Sequence, residues 1–162
     1  MPGIPIKLSP QECEIARAAA IEATDILPFL PWQHEKDTRT AKEWYFHDTL
    51  SWIAAMRCLN HVDSRIFVGH QTGTSNDWCI PLDEPGFKDV ATWILTRPWD
   101  DLPPWDAVET TWQVVGWIDA LQVAKAGKVV RWPSRGGTER WWALPVAALA
   151  SMETKENVRM DL

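Results

Sequence analysis

A chain of 162 residues is long enough for one domain with a sizeable core, and its 12 tryptophans against a single tyrosine exclude a disordered chain, which would be poor in aromatics. The net charge of -6 argues against general affinity for phosphate backbones, and no apolar run reaches the roughly 18 residues of a membrane helix. Cys13, Cys58 and Cys79 are odd in number and lack framework spacing, and MPGIPIKLSPQE lacks the charged-then-apolar form of a signal peptide. Reduced thiols in a cytoplasmic protein are therefore the expectation.

Ser9-Pro10-Gln11-Glu12 has the form of a capping box with proline at the first helical position. A helix follows to about Leu27, stopped by Pro28 and Pro31, and its apolar stripe (Ile15, Ala19, Ile26) is weak because Glu22 interrupts it. FLPWQHEKDTRT reads as a polar connection. From Thr40 to Leu59, Trp44, Phe46, Leu50, Ile53 and Met56 recur at helical spacing and predict a second helix.

Beyond Val62 the texture changes to short β-branched and aromatic runs. RIFVG (65–69), DWCIPL (77–82), VATWILTR (90–97) and TWQVVGWID (111–119) read as strands separated by HQTGTSN, DEPGFKD and PWDDLPPWDAVE. Asp119 is placed to cap a short helix, ALQVAKA, closed by Gly127. KVVRWP and RWWALPV then flank a Gly136-Gly137 turn, LPVAALASM suggests a last short helix, and the tail TKENVRMDL is expected to fray. The predicted fold class is α+β, an α/β sandwich of N-terminal helices followed by a mixed, mainly antiparallel sheet. One domain spans 1–162: helix and connection over 1–39, core over 40–152, tail over 153–162.

Charge is unevenly spread. Residues 125–140 hold Lys125, Lys128, Arg131, Arg135 and Arg140 against one carboxylate, Glu139, in an otherwise acidic chain. In this basic island Arg131, Arg135 and Arg140 would contact phosphate and Trp132 would stack on a base or a partner side chain. Trp141 and Trp142, as strand neighbours, must point to opposite faces, so at most one belongs to a core.

The order of pieces from 40 to 152, with strands at VDSRIFVG and DVATWILTRP, then WQVVGWIDA with its Gly116-Trp117-Ile118, and a late RWWALPVAAL, resembles phage-encoded relatives of the PD-(D/E)XK nuclease fold. That resemblance implies an Asp, then acid-x-Lys on the next strand, with carboxylates holding Mg²⁺ and the lysine positioning water. The nearest match is Asp63-Ser64-Arg65, where arginine replaces lysine and cannot serve as a base at neutral pH. No suitable acid precedes it on a strand, and the helix position where relatives often carry a glutamate falls near Trp52. The resemblance therefore implies a degenerate active site and a binding role without a cofactor. If Asp63 is a metal ligand, the alternative is an active Mg²⁺-dependent nuclease.

Other constellations are open to two readings. Cys58, His61, His70 and Cys79 supply four zinc-type ligands in chain order, but at irregular spacing; otherwise the cysteines are buried and the histidines lie at the surface. His47, beside Asp48 on the second helix, is a candidate acid or base, or a structural histidine. Asp83, Glu84, Asp89, Asp100 and Asp101 are cation ligands or solvated loop charges. The acidic loop 98–109 either offers Trp99 and Trp105 to a protein partner or folds them back over the sheet edge. No P-loop and no G-x-S-x-G is present. The partners expected are nucleic acid or a host protein, with no membrane; oligomeric state stays open.

Overall fold

The computed structural model describes residues 3–60, 65–70, 78–81, 92–155 and 158. The chain is an α+β protein whose central four-stranded sheet is covered on both faces. In chain order the elements are β1 (Ile4–Leu8), α1 (Pro10–Ile26), α2 (Ala41–Cys58), β2 (Ile66–His70), β3 (Trp78–Pro81), β4 (Thr92–Pro98), β5 (Thr110–Asp119), α3 (Ala120–Ala126), β6 (Lys128–Ser134) and β7 (Gly137–Leu144). The central sheet runs β1-β5-β4-β2, antiparallel except for the β2–β4 pair, and β3-β7-β6 forms a second, antiparallel sheet.

Both long helices start as their sequences dictate. Ser9 accepts from the Glu12 amide while the Glu12 carboxylate accepts from the Ser9 amide, and Thr40 and Glu43 repeat the arrangement at α2. Each box satisfies two amides that a bare helix end would leave without partners. The Thr40 amide, then its hydroxyl, holds the Glu43 carboxyl below its ordinary range against some cost of burial.

The strands β4 and β5 alternate between two cores. Ile94, Trp112 and Val114 face α1 and α2, where they meet Ile6, Leu8, Phe46, Leu50 and Ala54. Trp93, Leu95, Val115 and Ile118 face the other way, toward Val123, Leu144 and Leu149. Opposite Leu95 and Thr96 the register skips Val115, a bulge that sets Val115 and Gly116 against one partner residue. A Cβ on Gly116 would lie 2.6 Å from the Ala150 carbonyl oxygen. That close approach lets Trp117 and Ala150 exchange backbone hydrogen bonds of 3.0 and 2.9 Å. Gly116-Trp117-Ile118 is thus a packing motif: Trp117 also donates its indole N–H to the Ser151 carbonyl, at 3.0 Å, and Lys155 stands 4.7 Å from its ring.

Three expectations change. The segment 1–39 is not only a helix and a connection, because Ile4–Leu8 forms an edge strand that pairs with β5. LPVAALASM is not one helix: Pro145 precedes a single 3-10 turn (Val146–Ala148), the bridge to Trp117 pulls Ala150 into extended backbone, and a second turn follows (Met152–Thr154). Within the tail expected to fray, Val158 is buried, bridges Leu59 and accepts from Asn60 Nδ2 at 3.3 Å, while residues 156, 157 and 159–162 lie outside the described residues. The α+β class with a mixed, mainly antiparallel sheet is as expected, and β3, β7 and β6 add a second sheet beside it. Among the described residues, no helix is long and apolar enough to cross a membrane.

Candidate functional site

The basic island forms the last turn of α3 and the β6–β7 hairpin. Gly137 takes a φ of 133°, a conformation that disfavours side chains, and Ser134 Oγ donates to its carbonyl at 3.0 Å. The hairpin tip is not free. The Gly136 amide donates to the Pro31 carbonyl, the Arg135 amide to Gln33 and the Glu35 amide to Pro133, all at 2.9 to 3.0 Å. A Cβ on Gly136 would sit 2.6 Å from that of Pro31, so a glycine there is what lets the tip seat.

This seating corrects the expected role of Arg135. Its side chain is exposed, but Nη2 donates to the carbonyls of Asp37 and Arg39 at 3.0 and 3.3 Å, tying the tip to the connection. Arg131 and Arg140 stand opposite each other across the strands, and Trp132 and Glu139 are partners at the next register position. Lys125, Lys128 and Arg131 are exposed and form no ion pair with a carboxylate whose side chain is described. Trp142 packs against the second core, and Trp141 lies on the opposite face of its strand. The alternation rule therefore holds.

The acidic loop divides its tryptophans. Trp105 folds back, edge to face against Phe46 at 5.2 Å, with Lys42 Nζ 4.4 Å from its ring. Arg17 Nη1 donates to the carbonyls of Trp105 and Ala107 at 3.2 and 2.7 Å. Trp99 stays 45% exposed. Beside it lies an open cleft of about 440 Å³, lined by Lys7, Asp100, Asp101, Glu109 and Thr111 among others, with Lys7 and Glu109 paired at 3.5 Å.

Beneath the loop is a polar cluster that sequence reasoning did not anticipate. Asp37 holds Arg39 through contacts of 2.7 to 3.2 Å, Arg39 Nη1 meets His47 Nδ1 at 3.1 Å, and His47 Nε2 meets the Pro103 carbonyl at 2.8 Å. Burial pushes the Asp37 carboxyl up, but the hydrogen bonds and charge of Arg39 more than offset it and hold it below its ordinary value. His47 is 3% exposed, so it is a structural histidine that joins α2 to the loop. EKDTRT shows no periodicity. The one available signal was His47 falling on the buried face of α2 with Leu50, Ser51 and Ala54.

Asp63 and His61 lie outside the described residues, as do Asp83, Glu84 and Asp89. Arg65 is exposed just ahead of β2, and its carbonyl accepts from the Thr92 amide at 3.3 Å. Cys58 is sealed in the first core, where burial pushes its thiol up to about 11. His70 ends β2 of the central sheet, whereas Cys79 lies in β3 of the second sheet. Among the described residues no group of three or more His, Cys, Asp or Glu side chains could hold a metal ion. Compared with protein-family models, with curated proteins and with solved structures, the chain matches none.

Proposed function

We propose that the protein is a non-catalytic binding protein that takes nucleic acid on the surface made by α3, β6 and β7. One observation carries the reading: Lys125 on α3, and Lys128 and Arg131 on the two faces of β6, are all exposed and form no ion pair with a carboxylate whose side chain is described, in a chain that is otherwise acidic. Arg140 stands opposite Arg131 across the hairpin, on the same face, and a phosphate bound there would accept from both. On this reading the chain is a degenerate, PD-(D/E)XK-like accessory protein of phage type, acting in the host cytoplasm. Arginine at position 65 in place of lysine supports binding over cleavage.

Fluorescence anisotropy with labelled single- and double-stranded oligonucleotides at several salt concentrations tests it. Binding should weaken steeply with salt, and Lys125→Ala, Lys128→Ala and Arg131→Ala together should reduce the slope by about one unit for each phosphate no longer neutralised. No binding at low salt, or a triple variant that binds as the parent does, would sink the proposal. Cleavage of plasmid in Mg²⁺ that is lost in Asp63→Ala would instead establish the nuclease reading.

A further inference from the structure

Nine large apolar side chains stand exposed among the described residues, and five of them lie between Ile15 and Phe29. Glu14, Ile15, Ile21, Glu22, Asp25 and Ile26 share one face of α1, opposite the buried Cys13, Ala16 and Ala20. That face carries three exposed carboxylates without an ion pair among the described residues. It carries no cation: the one basic residue of α1, Arg17, is turned to the carbonyls of the acidic loop.

The α3–β6 surface has the opposite character. Leu121 is 80% and Val129 51% exposed; Leu121 lies one helical turn from Lys125 on α3, and Val129 shares a face of β6 with Arg131, while Lys128 points to the other side of the strand. The two surfaces cannot meet within one molecule. The first core holds α2, with α1 packed on it, against one face of the central sheet, and the second core holds α3 and β7 against the other. Each surface offers what the other lacks, in charge and in apolar area, but they lie on opposite sides of the sheet.

We propose that the acidic, isoleucine-bearing face of α1 docks on the basic α3–β6 surface of a second copy of this chain. Ile15 and Ile26 would meet Leu121 and Val129, while Glu14, Glu22 and Asp25 would meet Lys125 and Arg131. The contact is heterologous, using a different patch on each partner, so copies add head to tail. Opposed charges steer the approach and fix the register, and salt weakens it.

This inference stands without nucleic-acid binding, and its test uses protein freed of nucleic acid, which would compete for the same basic surface. Sedimentation velocity is run at low salt over about 5 to 500 µM, a range that brackets weak association. The weight-average mass should rise with protein concentration and fall back toward the monomer at about 0.5 M salt. The variants Glu14→Lys/Glu22→Lys/Asp25→Lys and Lys125→Glu/Arg131→Glu should each weaken association at least about tenfold. Mixed together, these two variants should associate again, because one now carries two basic surfaces and the other two acidic ones. That rescue also shows that both are folded. A parent protein that stays monomeric throughout overturns the proposal, as does association that persists in both variants separately, or a mixture that stays inert while the parent associates.

Discussion

Arg39 donates from Nη1 to Nδ1 of His47 at 3.1 Å, and this contact decides where the ring carries its proton. Arginine has only donors, so Nδ1 must accept; the Pro103 carbonyl only accepts, so Nε2 must donate, at 2.8 Å. The buried ring is therefore neutral, with its hydrogen on Nε2. Through it, an ion pair in the connection is linked to the acidic loop.

Acid should loosen this joint. The Asp37 carboxyl is held below its ordinary value in the folded chain, so its contribution is complete above that ordinary value and is lost as pH falls through the folded one. Amide hydrogen exchange in residues 99–109, corrected for the intrinsic pH dependence of exchange, should show protection lost as pH falls through the carboxylate range, and Asp37→Asn should abolish that loss. His47→Phe should cost about 1–3 kcal/mol by leaving the buried Pro103 carbonyl without its donor. An acid-induced loss of protection that persists unchanged in Asp37→Asn would refute the assignment.

Gly116→Ala should destabilise the chain by about 1–3 kcal/mol, because the new methyl meets backbone, the Ala150 carbonyl at 2.6 Å, rather than a movable side chain. Urea unfolding followed by far-UV circular dichroism measures it. A change within about 0.5 kcal/mol would mean that the Ala150 segment gives way freely.

The tryptophans should separate by burial and not by type. Trp112 is fully buried against both helices, and Trp112→Ala should cost about 3–5 kcal/mol. Trp99→Ala, at a site 45% exposed, should stay within about 0.5 kcal/mol. Thermal melts of the two variants make the comparison directly.

Thiol chemistry should report the first core. Burial raises the Cys13 thiol, partly opposed by Arg17, and pushes Cys58 up to about 11. At pH 8 both should resist a thiol-specific alkylating reagent in the native protein and react once it is unfolded. Peptide mass mapping distinguishes them from Cys79, and labelling of native Cys58 would contradict its burial.

Much of the secondary structure was legible because its signals are local. The Ser9 capping box, the helical spacing of Phe46, Leu50 and Ile53, the bounds of β5 and the Gly136-Gly137 turn depend on residues within a few positions of one another. β1 was harder to see: Ile4, Ile6 and Leu8 alternate, but over five residues that include Pro5, and only pairing with β5 makes a strand of them. The basic island was legible as charge, whereas the docking of its tip on Pro31 and Gln33 joins segments about a hundred residues apart.

The sequence by itself therefore determined the helices, most strands, the α+β class and the location of the positive charge, since each follows from short-range periodicity, capping or composition. Only the tertiary structure decided that the strands divide between two sheets, that Trp105 turns inward while Trp99 stays out, and that Arg135 is spent on backbone carbonyls. It also decided that His47 lies buried between Arg39 and Pro103, and that the acidic face of α1 and the basic face of α3–β6 look away from each other. These depend on which distant segments share a core, a competition among long-range contacts that no local pattern encodes.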